Sequence, residues 1–325
     1  MKPLRLLLVG AGALGSILCD LLRRIATVPM ELTVCDNQEY EDNNQFKTSA
    51  MIRFDEDTGQ PKAQTLAHRA LGIGSRLLST NYLNLNVEML GPFAFASFDY
   101  VFVCPDSMSV RGYVWNQLCH LSPEDRPVFI CGATGNDRGN SVIILPEDTV
   151  CYRCHLGSEV FRREAESGIR HNCSDTIELH PAADLSDHNV VTASAAFRVS
   201  LIMHDQFVLH FTNRLKYSEE WIYDPSVTPM IQRYLLSNEL DPFCPDHTVP
   251  KMPRSLINIR DGCVFRTSLE EFRKLVTSEL GSAARIQVHP HFFAERLYDV
   301  IIQESSCPCC GKRYQINRHS GRIVS

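Results

Sequence analysis

An α/β fold with a doubly wound, mostly parallel sheet is predicted for this 325-residue chain by three features. Short apolar runs alternate with helical segments through the first half, a glycine-punctuated turn joins the first run to its helix, and an acidic residue closes the second run.

The apolar runs are LRLLLVG (4–10), MELTVCD (30–36), FDYVFVC (98–104) and RPVFICG (126–132). Each is short and continuously apolar, as a strand covered on both faces must be. From 155 to 190 the chain is polar and irregular, too long for an ordinary connection, which marks a functional or mobile loop. A long amphipathic helix is expected over 191–213.

The character changes after residue 250, dividing the chain into a nucleotide-binding unit (1–250) and a small α+β module (251–325). In the module a hairpin is expected about Asp261-Gly262, followed by a helix with a Ser268/Glu271 capping box and a stop at Gly281. Leu269, Phe272, Leu275 and Val276 form that helix's apolar face. RIQVHP and RLYDVIIQES add two strands, an order compatible with a β-grasp-like module or with another α+β extension.

The formal net charge of −6 argues against non-specific nucleic-acid binding and supplies no basic patch for a membrane. The most apolar long stretch, Val191 to Phe211, carries Arg198, His204 and Asp205 and reads as a buried helix. Thirteen cysteines without a recognisable export signal place the chain in the cytoplasm, where C-x-x-C spacing means metal or thiol chemistry. Cys35, Cys104 and Cys131 fall on strands or their ends and read as core residues.

Gly10, Gly12 and Gly15 spell G-x-G-x-x-G between strand and helix, the turn of a Rossmann-like nucleotide site. Asp36, 21 residues after Gly15, stands where an acid accepts from a ribose diol. Asn44, Lys47 and Lys62 follow closely. Cations at that place suit the phosphates of ATP better than a nicotinamide, so a dehydrogenase is the least favoured function.

VGAGALGS, TGQPKAQ, FDYVFVCPDSMSVR and CYRC stand in the order and spacing of the ThiF/MoeB/HesA family, which the chain resembles over about 4–247. That family activates ubiquitin-like and sulfur-carrier proteins by adenylation. The resemblance implies ATP and Mg²⁺ as cofactors, Lys62 on the phosphates, Asp106 at the metal and the adenylate, and Arg111 nearby. It also implies a phosphate contact at the second end of Asn44-x-x-Lys47, where a lysine replaces the usual arginine and loses its bidentate fork. The usual N-terminal arm, which supplies an arginine to a partner subunit, is not seen in the sequence.

Catalysis would then rest on Lys47, Lys62 and Asp106, with Cys173 forming a thioester; Arg170 and His171 beside it favour the thiolate. The implied partners are a ubiquitin-like β-grasp protein, a conjugating-type enzyme recruited by the C-terminal module, and a second copy in a homodimer. Adenylation for sulfur transfer or RNA modification, and a degenerate scaffold subunit, stand as alternatives.

Cys151 and Cys154 form a thiolate pair at Zn²⁺ spacing, and two later pairs could complete a structural site. Four thiolates (Cys151, Cys154, Cys307, Cys310) are slightly preferred to the set completed by Cys244 and His247.

Overall fold

The computed structural model describes residues 2–25, 28–45, 47–135, 137–157, 193–236, 240, 244–247, 302–306, 313–317 and 323–324. Strands β1 (Leu4–Val9), β2 (Met30–Cys35), β3 (Leu77–Leu83), β4 (Tyr100–Val103), β5 (Val128–Thr134), β6 (Gly139–Ile144), β7 (Glu219–Tyr223) and β8 (Ile231–Leu235) form one sheet in the order β3-β2-β1-β4-β5-β6-β7-β8. The first five are mutually parallel, and β6, β7 and β8 extend the sheet antiparallel. The strand order reverses between β1 and β4, whose carboxyl ends flank a crevice.

Alternation along β1 shows why its run is apolar throughout. Leu6 and Leu8 enter the core on one face, and Leu7 and Val9 enter the core on the other. Helices α1 (Ala13–Leu22), α2 (Lys62–Ala70) and α5 (Ala193–Phe211) cover the first face, and α3 (Met108–Cys119) and α4 (Tyr152–Leu156) the second. Helix α5 contributes Val199, Met203 and Phe207 at four-residue steps, and Ser200 Oγ donates to the Leu14 carbonyl at 3.0 Å. It fulfils the expected 191–213 helix within two residues at each end. No helix among the described residues is long and apolar enough to cross a membrane.

The sequence does not announce β3, β7 and β8. β3 is a sheet edge with a polar middle (LLSTNYL), and β8 is exposed along most of its length. In the C-terminal region a separate antiparallel sheet joins β9 (Ile302–Ser306), β10 (Arg313–Asn317) and β11 (Ile323–Val324) in the order β11-β10-β9. Strand β9 overlaps the expected RLYDVIIQES strand. The hairpin at Asp261-Gly262, the helix after Ser268 and most of the 155–190 loop lie outside the described residues.

The third glycine of the turn packs helix onto strand. A Cβ on Gly15 would stand 1.9 Å from the Gly10 carbonyl oxygen, a backbone atom that cannot yield, whereas one on Gly12 would meet nothing within 4 Å. Gly15→Ala should therefore lower stability by about 3 kcal/mol in thermal or denaturant unfolding, with Gly12→Ala costing far less. Equal stability of the two variants would contradict this packing.

Candidate functional site

Gly10 adopts φ +91°, and a Cβ there would press on the Cys104–Pro105 backbone at 3.1–3.2 Å. The turn can therefore run close to the loop after β4 only as glycine. Gly12 caps α1, whose first amides open toward a cavity of about 220 Å³ at the crevice between β1 and β4. Of the residues singled out in the sequence, Gly10, Gly12, Asp36, Asn44, Lys47, Lys62 and Asp106 all line it.

Asp36 holds the turn from the end of β2. Its Oδ2 accepts from the Ala11 amide at 2.7 Å and its Oδ1 from the Gln38 amide at 2.8 Å. Burial raises its carboxyl pKa above the ordinary value, against the opposing pull of Lys62 and these two donors. Each oxygen keeps a second lone pair, which a ribose hydroxyl could use.

Lys62 opens α2, where Pro61 occupies the N-cap and the Lys62 amide donates to the Gln38 carbonyl at 2.8 Å. Its side chain is buried at the cavity wall, with Nζ donating to Gln38 Oε1 at 2.9 Å and standing 5.9 Å from the Tyr40 ring centroid. Tyr40 in turn donates from its hydroxyl to the Ala11 carbonyl at 2.8 Å. Asn44 closes a capping box in which its Oδ1 accepts from the Glu41 amide at 3.0 Å, fixing the turn that delivers Lys47 and Thr48 to the cavity.

Two predicted nucleotide contacts lie off the wall. Gly15 is the packing glycine described above, and Arg111 is buried beneath the loop after β4, where its Nε donates to the Pro105 carbonyl at 2.8 Å. Arg111 thus braces the segment that carries Asp106. Conversely, Gln38, Asn86, Ser107 and Thr134 line the cavity without having been singled out. Ser107 had a legible signal, since it is the N-cap of α3 and accepts from the Val110 amide at 3.4 Å. Cys35, Cys104 and Cys131 are core residues as expected, and burial pushes all three thiols up, which keeps them protonated.

On the same side of the sheet as α3, the ligand atoms of Cys151, Cys154, Cys244 and His247 all lie within 4.8 Å of one another. Cys151 Sγ and Cys244 Sγ are 3.9 Å apart, and Cys154 Sγ and His247 Nε2 are 3.3 Å apart. A tetrahedral zinc ion sets sulfurs about 3.8 Å apart and sulfur and nitrogen about 3.6 Å apart, so the donors fit a Cys₃His site. Burial pushes the Cys151 thiol up and the Cys244 thiol up to about 12, so a cation entering here displaces protons. Among the described residues, Cys244 and His247 complete a four-donor set with Cys151 and Cys154. Cys307, Cys310 and the candidate nucleophile Cys173 lie outside the described residues.

A crevice at a strand-order reversal, lined by the glycine turn and two lysines, stands where doubly wound α/β proteins bind their ligands. The chain belongs to the ThiF family, which it matches over residues 1–276. Over 162 residues it is 27% identical to the NEDD8-activating enzyme E1 catalytic subunit of Arabidopsis thaliana. That match takes in 47% of this chain and 34% of the relative, so the chain spans about a third of that protein's length. Its fold is similar to that of E. coli MccB with AMPCPP and MccA, at TM-score 0.56 and 13% identity over 76% of this chain and 66% of that one. MccB with ATP gives TM-score 0.54 and 14% identity over 77% and 67%.

Metal analysis of the purified chain should find about one zinc bound through this cluster, and Cys244→Ser should release it while Cys310→Ser keeps it. Retention by Cys244→Ser with loss in Cys310→Ser would return the site to the four-thiolate set.

Proposed function

We propose that this protein adenylates the C-terminal carboxylate of a ubiquitin-like protein with ATP. The observation that carries the proposal is the buried Lys62 side chain on the wall of a cavity that the first turn of α1 also lines. A carboxylate is a poor electrophile, and two anions must meet for it to be activated. Attack of a carboxylate oxygen on the α-phosphorus forms an acyl–phosphate bond, breaks the bond to the β-phosphate and releases pyrophosphate.

Positioning and charge neutralisation are what this chain's residues supply to that step. Asp36 takes the ribose, the α1 amides and Lys47 cradle the phosphates, and Lys62 leaves the neutral Gln38 amide for a phosphate oxygen. Asp106, which lines the same cavity, offers a hard carboxylate donor of the kind Mg²⁺ prefers. The ion, when bound, would neutralise the charge of the leaving pyrophosphate. Membership of the ThiF family and the match to a NEDD8-activating subunit support the protein substrate.

The second step is transfer of the acyl group to the Cys173 sulfur: the thiolate attacks the mixed anhydride, a thioester forms and AMP leaves. A conjugating-type enzyme would accept the product. The Cys151/Cys154/Cys244/His247 cluster is then a structural zinc site, apart from the chemistry.

With a ubiquitin-like protein, Mg²⁺ and ATP, labelled pyrophosphate should exchange into ATP, and Lys62→Ala and Asp106→Ala should each slow exchange by about 100-fold or more. Full exchange in both variants would refute the site. Cys173→Ala should keep exchange but lose a reducing-agent-sensitive adduct with the carrier; an adduct that persists would remove Cys173 from the mechanism.

A further inference from the structure

The two halves of the metal cluster have the same build. In C-Y-R-C the residue before the last ligand is Arg153, and in C-P-D-H it is Asp246. These residues meet. Arg153 Nε donates to Asp246 Oδ2 at 3.0 Å, and the Asp246 side chain has no exposed surface at all. Its other oxygen, Oδ1, accepts from Asn116 Nδ2 at 2.8 Å. A buried carboxylate thus has both oxygens satisfied, one from the opposite half of the cluster and one from α3.

We infer that Asp246 is a positioning residue of the metal centre, holding the Cys244–His247 half against the Cys151–Cys154 half and tying both to α3. The inference rests on the reading of the cluster as a metal site. Its physical case begins with chain separation. Arg153 and Asp246 are 93 positions apart, and a cation that had to gather four donors across that distance would bear the cost of closing the loop itself. An ion pair formed within the fold has already closed it.

Charge supports the same role. Three thiolates around a dication leave a net negative centre, and an unpaired carboxylate beside it would be repelled. Arg153 offsets the charge of Asp246 at hydrogen-bond distance, so the carboxylate can brace the ligands without opposing them. Asn116 adds a second anchor. It lies on the helix whose N-terminal residues, Ser109 and Val110, line the nucleotide cavity, so the cluster is attached to an element that shapes that cavity.

The test is zinc competition against a chromophoric chelator, using the full chain and its Asp246→Asn, Arg153→Met and double variants, with Co²⁺ spectra of each. Asp246→Asn should weaken zinc binding by about 10- to 100-fold, the range for residues that orient ligands. The Co²⁺ spectrum should keep its tetrahedral, thiolate-rich form, because the ligands themselves are intact. Arg153→Met should weaken zinc similarly, the double variant little further than either single, and Arg153→Lys should recover part of the loss. Should Asp246→Asn fail to fold, Asn116→Leu and Arg153→Met carry the same test. Wild-type affinity in Asp246→Asn and Arg153→Met, or losses that simply add, would overturn the inference. A wild-type chain that binds no zinc at all would remove the metal reading and this inference with it.

Discussion

Ala11 is clamped through both of its peptide groups. Its N–H is held by the Asp36 carboxylate at 2.7 Å, and its carbonyl accepts from the Tyr40 hydroxyl at 2.8 Å. Between Gly10 at positive φ and Gly12 at the helix cap, this residue fixes where the amides of α1 point. Much of the site is built outward from that clamp. Tyr40 also lies beneath Lys62, and Gln38, whose amide completes the coordination of Asp36, receives the Lys62 ammonium on its side chain. Asp36, Lys62 and the glycine turn are therefore one hydrogen-bonded unit, so a shift of one displaces the others.

The second centre is organised differently. Its donors come from two short segments far apart in sequence, and α3 joins them to the rest of the fold through Asn116. Cys35, Cys104 and Cys131 are buried thiols whose pKa values burial raises, whereas Cys154 and His247 in the cluster reach the surface in part.

Much of this was legible in the sequence where one local pattern had one physical meaning. Strands buried on both faces read as continuous apolar runs, and the juxtaposition of the glycine turn with Asp36 was legible because its spacing is set by one strand–helix–strand unit. The edge strands β3 and β8 were not legible, since their mixed polar and apolar residues form neither a continuous apolar run nor a clean alternation. That Arg111 stands off the cavity wall was not legible, because spacing gives distance along the chain but not the face of a helix that looks into the cavity. The candidate metal donors were legible as pairs but not as a set, because spacing within a pair does not say which pairs the fold brings together. Gln38 carries no signal of its own, and its part follows from where Lys62 ends up.

The central claim is that this crevice grips the phosphates of ATP through Lys62 and its neighbours. The most direct measurement is calorimetric titration of ATP and AMP, each with Mg²⁺, into the wild-type chain and into Lys62→Met. The wild type should bind ATP at least about tenfold more tightly than AMP, a difference of about 1.4 kcal/mol, and Lys62→Met should lose most of that preference while still binding AMP. Equal affinities for the two nucleotides in the wild type, or a preference untouched in Lys62→Met, would contradict the account.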